Sequence, residues 1–155
     1  MKILWTKSNL PLSVLIQKVT HEPVSHVGIL LNGKVIHSNM RGLSITKEAD
    51  FRKSLDVVYE IEMPFDSEAE DKLLKLIDRD KGNFYDIGAL VFLGICFTLR
   101  AVFKIPLPKH NLWQATGMFL CTEWVSKALN DKEDSMITPY GLYLKLLANK
   151  SATIK

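Results

Sequence analysis

Several features that would assign a chain to a class are scarce or missing in this sequence. Its 20 basic residues nearly balance 17 acidic ones and form no tract, so the net charge of +3 does not indicate a nucleic-acid surface. The two cysteines, Cys96 and Cys121, do not have the spacing of a zinc knuckle, and because no secretion signal is found we expect them not to form a disulfide. Internal repeats and low-complexity tracts are missing as well. These absences leave an ordinary globular protein whose chemistry must come from a few residues.

A secretion signal and a long membrane span are also missing. The first residues, MKILWTKSNLP, lack the continuous apolar core of a signal peptide, so we expect a reducing, cytoplasmic compartment, in the host cell if a phage encodes the protein. The most apolar stretch, 87–99, has 13 residues before Arg100, whereas a spanning helix needs about 20. We predict a buried core helix there. The alternative is a membrane-surface or re-entrant segment, with peripheral membrane contact through 87–107.

The chain has 155 residues, 47% of them hydrophobic, which suits one domain spanning 1–155 with its own core. Period-two and β-branched segments predict strands at KILWT, HVGILL, KVIHS, GLSIT and DVVYEIEM. Helical spacing and capping residues predict helices at SNLPLSVLIQKVT, DSEAEDKLLKLIDRD, CTEWVSKALN and TPYGLYLKLLAN, and a long apolar helix from about Tyr85. Ser8 and Thr138 are the predicted caps of the first and last helix. Strands first and helices later predict an α+β fold.

The segment SHVGILLNGKVIHSN brings two histidines into one predicted hairpin. Asn32-Gly33 is a strong signal for a two-residue turn, which pairs Leu31 with Lys34 and sets the register outward. Since side chains alternate, His26 and His37 then lie on one face as diagonal neighbours. Gly28 stands between them without a side chain. The pair alone is consistent with two ordinary half-exposed histidines, with part of a zinc site, or with a catalytic base and its orienting partner.

Cys121 precedes the predicted amphipathic helix that carries Trp124 and Val125. A thiol at a helix start meets free backbone N–H groups and the positive end of the helix dipole, which favour the thiolate. Close to an imidazole, such a cysteine is a candidate nucleophile. The alternative is that Cys121 is a small buried hydrophobe. We expect Cys96, in the middle of the apolar stretch, to be structural.

The order His26, His37, Cys121 resembles the circularly permuted branch of the NlpC-type papain-like superfamily, which includes the YiiX-like and the lecithin retinol acyltransferase-like proteins. Four segments carry the resemblance over most of the chain: SHVGILLNGKVIHSN, GNFYDIGAL, FLCTEWVSKAL and MITPYGLY. The sequence departs from the family pattern at Thr122, where Ser is common, and in its long apolar insert.

The resemblance implies a papain-like fold and a Cys-His-His triad. Cys121 would be the nucleophile, His26 the general base and His37 the residue that orients it, while Tyr85 would help to stabilise the oxyanion. The implied reaction is hydrolysis or acyl transfer at an amide or ester bond of a cell-wall peptide, another amide or a lipid. It implies no metal or organic cofactor and no nucleic-acid partner. The alternative is a non-catalytic or zinc-binding interaction module that uses the same residues.

Overall fold

The computed structural model describes residues 1–81, 87–106, 108, 120–129 and 137–153. Five strands and six helices lie in these ranges, and the fold class is α+β, as predicted. The strands are β1 (Lys2–Lys7), β2 (His26–Leu31), β3 (Lys34–Asn39), β4 (Gly42–Lys47) and β5 (Asp56–Glu62). The helices are α1 (Pro11–Thr20), α2 (Glu48–Ser54), α3 (Ser67–Asp80), α4 (Ile87–Phe103), α5 (Cys121–Ala128) and α6 (Pro139–Thr153).

The strands form one antiparallel sheet in the order β4-β3-β2-β1-β5. The turn between β2 and β3 is the predicted one, because Asn32 and Gly33 have φ angles of 48° and 71°. Two successive positive φ angles are typical of the type I′ turn, whose twist suits a hairpin. Leu31 pairs with Lys34 and Ile29 with Ile36, so the predicted register is confirmed.

The sheet buries apolar side chains on both faces. On one face, Val27, Ile29 and Ile36 form the main core with Trp124 and Val125 of α5, and with side chains of α3 and α6. The opposite face carries a smaller cluster: Leu4, Leu30, Val35 and, from α2, Phe51. Sequence analysis did not predict α2, because its seven residues, EADFRKS, contain a single large apolar side chain and therefore show no periodicity.

The two predicted caps have different outcomes. Thr138 caps α6, since its Oγ1 accepts a hydrogen bond from the Gly141 N–H at 3.0 Å. Ser8 does not cap α1, which begins after Leu10. The backbone N–H of Ser8 donates instead to Ser13 Oγ at 2.9 Å. Ser13 Oγ also hydrogen bonds to Ser25 Oγ at 2.6 Å, which ties α1 to the residue before β2.

The prediction that 87–99 is a buried core helix is wrong. The apolar stretch does form a helix, α4, but every α4 side chain that the structure describes is partly or fully exposed. Its inner side packs near α1 and contacts Leu120 through Leu90 and Leu93. The prediction failed because apolar composition alone does not distinguish a helix inside the core from one that is apolar at the surface.

Candidate active site

His26 and His37 are in direct contact. His26 Nε2 lies 3.0 Å from His37 Nδ1, and the rings meet edge to face with centroids 5.1 Å apart. This is the diagonal pair that the hairpin register predicted. A hydrogen bond of this length requires one ring to donate its N–H and the other to accept with its lone pair.

Thr46 of β4 extends this contact into a chain of three residues. Its Oγ1 lies 3.3 Å from His37 Nε2. When His37 donates its Nε2–H to Thr46, His37 Nδ1 accepts the Nε2–H of His26, and His26 Nδ1 keeps a free lone pair. In the opposite direction of the chain, His26 Nδ1 carries the proton. Only the first direction leaves His26 ready to act as a base, and the Thr46 hydroxyl, which can accept or donate, is compatible with either direction.

The surroundings of the pair hold both rings in place. A Cβ added to Gly28 would lie 3.0 Å from Val35 Cγ1, 3.1 Å from His37 Cβ and 3.2 Å from the Ile36 carbonyl oxygen, so a larger residue there would displace these neighbours by a few tenths of an ångström. Phe51 of α2 covers the other side, with its ring centroid 5.0 Å from that of His37 and 6.5 Å from that of His26. The rings are therefore packed between strand backbone and an aromatic side chain.

Burial keeps both histidines neutral. It lowers the pKa of His26 from 6.5 to about 3, with a further lowering from the neighbouring His37. Burial likewise lowers the pKa of His37 to about 4. A low-dielectric environment disfavours the imidazolium form, and the described residues place no carboxylate beside either ring to offset it. At neutral pH the pair is thus two uncharged imidazoles joined by one proton.

Cys121 is the first residue of α5, after Leu120 as the N-cap. Glu123 fixes this helix start, because its Oε2 accepts a hydrogen bond from the Leu120 N–H at 3.0 Å. The thiol is buried in the main core, and the backbone amide of Val27 hydrogen bonds to it. Val27 directly follows His26, so the thiol reaches the first residues of β2.

The Cys121 thiol is not a thiolate in the resting structure. Burial raises its pKa to about 11, and the negative charge of Glu123 contributes to the rise, although hydrogen bonds from the backbone amides of Val27 and Thr122 oppose it. The expectation of a lowered pKa is therefore wrong here. Backbone N–H groups at a helix start do favour the thiolate, but in this site desolvation outweighs them.

The thiol and the histidine pair approach β2 from opposite faces of the sheet. Cys121 belongs to the cluster that contains Val27, whereas His26 and His37 share the face of Phe51. Cys121 and His26 form no hydrogen bond with each other in the part of the chain that the structure describes. Nor does His26 Nδ1 have a hydrogen-bond partner there. The structure thus brings the two elements of the predicted site to one strand end without joining them.

Two adjoining cavities meet at this strand end. The first, called the apolar cavity here, has a volume of about 470 Å³, contains Cys121 in its wall and is otherwise lined mainly by apolar side chains of α1 and α4. The second, called the His cleft, has about 390 Å³ and contains His26, His37 and Thr46. Both are lined by three of the same residues: Leu12, Ile16 and Ser25. Ser25 immediately precedes His26, so a ligand that occupied both cavities would pass the site.

The remaining predicted residues are elsewhere. Tyr85 lies outside the described residues, so its predicted role in stabilising the oxyanion stays a prediction. Cys96 lies in α4 and is partly exposed, and it does not line the apolar cavity.

Sequence reasoning missed Thr46 and Phe51. Thr46 could have been found, because β4 pairs with β3 and places Thr46 opposite Val35. Residues directly opposed in an antiparallel pair share a face, and Val35 shares its face with His37. Phe51 carried no such signal, since the short helix that holds it was not predicted.

The described residues do not favour a metal centre. Within the described ranges, no group of three or more His, Cys, Asp or Glu side chains could hold a metal ion. The facing nitrogens of His26 and His37 also bond to each other, so a shared metal would have to break that contact. The arrangement is suited instead to accepting and passing on a proton.

Comparisons with known proteins add no family to this description. No protein-family model matches the chain, and no curated protein matches it. What the chain does must therefore be inferred from the geometry of its own residues.

Proposed function

We propose that the protein is a cysteine-dependent hydrolase or acyltransferase with a permuted papain-like arrangement. Cys121 is the nucleophile, His26 the general base and His37 the residue that orients it. One observation carries the proposal. The hydrogen-bond chain that runs from Thr46 through His37 to His26 leaves His26 Nδ1 without a hydrogen-bond partner among the described residues. That nitrogen belongs to the residue before Val27, whose amide contacts the thiol.

The reaction follows from these groups. His26 Nδ1 accepts the thiol proton, and Cys121 Sγ attacks the carbonyl carbon of an amide or ester. The oxyanion that forms is stabilised by the backbone N–H of Cys121 at the start of α5. The C–N or C–O bond then breaks, the leaving group takes the proton from His26, and an acyl group remains on Sγ. Water or another acceptor then gives its proton to His26 and attacks the acyl carbon, the C–S bond breaks, and the proton returns from His26 to Cys121 Sγ.

In the resting site the thiol of Cys121 and the imidazole of His26 are both uncharged. With the pKa of Cys121 near 11 and that of His26 near 3, the proton stays on sulfur at neutral pH. Catalytic hydrogen bonds are often long or absent in a free enzyme and shorten only in the substrate complex. Proton transfer accordingly waits until substrate occupies the strand end and draws Sγ and Nδ1 together.

The two cavities favour an acyl compound with a polar head as substrate. The apolar cavity that contains Cys121 is lined by Leu12, Ile16, Val19, Leu93 and Phe97, among others. A hydrocarbon chain is stabilised there by about 0.8 kcal/mol for each buried CH₂ group. The more polar His cleft offers hydroxyl and imidazole groups to the leaving group. Among the substrate classes implied by the resemblance, a lipid acyl substrate fits this pairing better than a cell-wall peptide.

The test is turnover of matched esters and amides. The panel contains p-nitrophenyl acetate, p-nitrophenyl octanoate and a short peptide p-nitroanilide, each assayed with the wild type, Cys121→Ala and His26→Ala. We expect octanoate to be the best substrate and both variants to lose the activity. Equal rates for the wild type and Cys121→Ala on every substrate would refute the proposed function. A peptide preferred over octanoate would refute the substrate class alone.

A further inference from the structure

Helix α4 presents a continuous stripe of apolar side chains to solvent. Val91, Ile95, Leu99 and Val102 recur at intervals of three or four residues and therefore lie along one side of the helix. Together with Phe103 they are between 36% and 67% exposed. Soluble proteins rarely leave a contiguous apolar surface of this kind uncovered, and a helix that is apolar all round is normally enclosed. We therefore expect another surface to bind against the stripe.

The stripe is also the rim of the apolar cavity. Val91, Ile95 and Leu99 of α4, and Leu15 of α1, line the cavity and are exposed to solvent at the same time. The mouth of the cavity thus opens between α1 and α4, on the side where the stripe lies. Whatever covers the stripe also covers the entrance that leads to Cys121.

Charge around the stripe indicates what that surface is. Residues 87–106 contain no acidic side chain, while Arg100 and Lys104 are exposed near the C-terminal end of α4. Basic side chains that flank an apolar helix face are typical of segments that lie on anionic lipid, because their stems follow the apolar surface and their charges reach the headgroups.

The length of α4 fits a helix that lies on a bilayer. At a rise of about 1.5 Å per residue, its 17 residues extend about 25 Å, less than the roughly 30 Å of a hydrocarbon core. None of the helices in the described ranges combines the length and the apolar character that crossing a membrane requires. An in-plane orientation puts the whole stripe against lipid.

We propose that the α4 stripe docks the protein on an anionic lipid bilayer, with the mouth of the apolar cavity facing the acyl chains. The evidence for docking is the exposed stripe, its position at the cavity rim and the basic side chains that flank it. Only the further step, entry of a lipid acyl chain toward Cys121, rests on the proposed function.

The test is cosedimentation of the full chain with vesicles of phosphatidylcholine alone and of phosphatidylcholine with 25% phosphatidylglycerol. We expect the wild type to bind the anionic vesicles more tightly. The double variant Val91→Asp/Ile95→Asp should lose roughly tenfold or more in affinity, since it replaces apolar contacts with charge. Arg100→Gln should weaken binding to the anionic vesicles by about fivefold and leave neutral vesicles unaffected.

The matched control is Leu74→Asp on α3, a site 48% exposed that belongs neither to the stripe nor to the wall of the apolar cavity. It introduces one negative charge at an exposed apolar side chain, as Val102→Asp does on the stripe, and should bind lipid like the wild type. The substitutions at positions 74, 91, 95, 100 and 102 are all at exposed sites, and thermal melts verify that every variant, Cys121→Ala included, is folded. Val102→Asp, on the stripe but outside the cavity wall, provides a second stripe variant if the double variant does not fold.

Three results would overturn the proposal. The first is that wild type does not bind the anionic vesicles, and the second is that Leu74→Asp loses as much affinity as the stripe variants. The third is that light scattering without lipid shows the wild type as a dimer and the stripe variants as monomers. The surface that covers the stripe would then be a second copy of the chain. Cys121→Ala separates docking from catalysis, because it should bind vesicles like the wild type whether or not the chain is an enzyme.

Discussion

Replacement of His37 by Gln should remove a defined part of the pH dependence of folding stability. Burial lowers the folded-state pKa of His37 from 6.5 to about 4, so between these values the unfolded chain binds more protons than the folded one. The stabilisation is complete above pH 6.5 and is lost as the pH falls toward 4. At about 1.36 kcal/mol per pH unit, lowering the pH from 6.5 to 5 removes roughly 2 kcal/mol through His37. The stabilisation lost through His26, whose pKa is about 3, is similar over the same pH interval.

The assay is urea unfolding at pH 7.5 and pH 5.0. Gln at position 37 can still accept a hydrogen bond from His26 but does not titrate, so the difference in unfolding free energy between the two pH values should shrink by roughly 2 kcal/mol. The contribution of the carboxyl groups cancels between wild type and variant. An unchanged pH dependence in His37→Gln would refute the buried, neutral pair.

Three further predictions concern the site itself. In a Cys96→Ser background, the rate at which iodoacetamide labels Cys121 should keep rising above pH 9, because the pKa of the thiol is near 11, and a plateau below pH 8 would contradict this. Thr46→Val should alter the nitrogen chemical shifts that report the tautomers of His37 and His26, whereas Thr46→Ser should preserve them. Unchanged shifts in Thr46→Val would show that Thr46 is not part of the hydrogen-bond chain. His26→Ala should slow turnover about 10²–10⁴-fold, His37→Ala less and His37→Asn least, and a folded His37→Asn as inactive as His26→Ala would exclude the orienting role.

The sequence was most informative where local rules fix the geometry. Asn32-Gly33 determines a two-residue turn, the turn determines the register, and the register places His26 beside His37. The contact that results, 3.0 Å between ring nitrogens, needed no knowledge of distant parts of the chain. The cap at Thr138 was predictable for the same reason.

Properties that depend on distant segments could not be predicted. Whether 87–99 is enclosed depends on which elements cover α4, and the pKa of Cys121 depends on how deeply the core buries it. The adjoining cavities arise where α1 and α4 meet the end of β2. None of these relations has a local pattern in the sequence.

The central claim, that Cys121 forms an acyl-enzyme with the help of His26, can be tested most directly by trapping that intermediate. The protein is mixed with p-nitrophenyl octanoate, quenched in acid within seconds, and examined by intact-mass and peptide mass spectrometry. We predict one octanoyl group on Cys121 in the wild type and in Cys96→Ser, none on residue 121 in Cys121→Ala, and acylation slowed about 10²–10⁴-fold in His26→Ala. Acylation of Cys121 at the same rate with and without His26, or no acylation of Cys121 at all, would contradict the account.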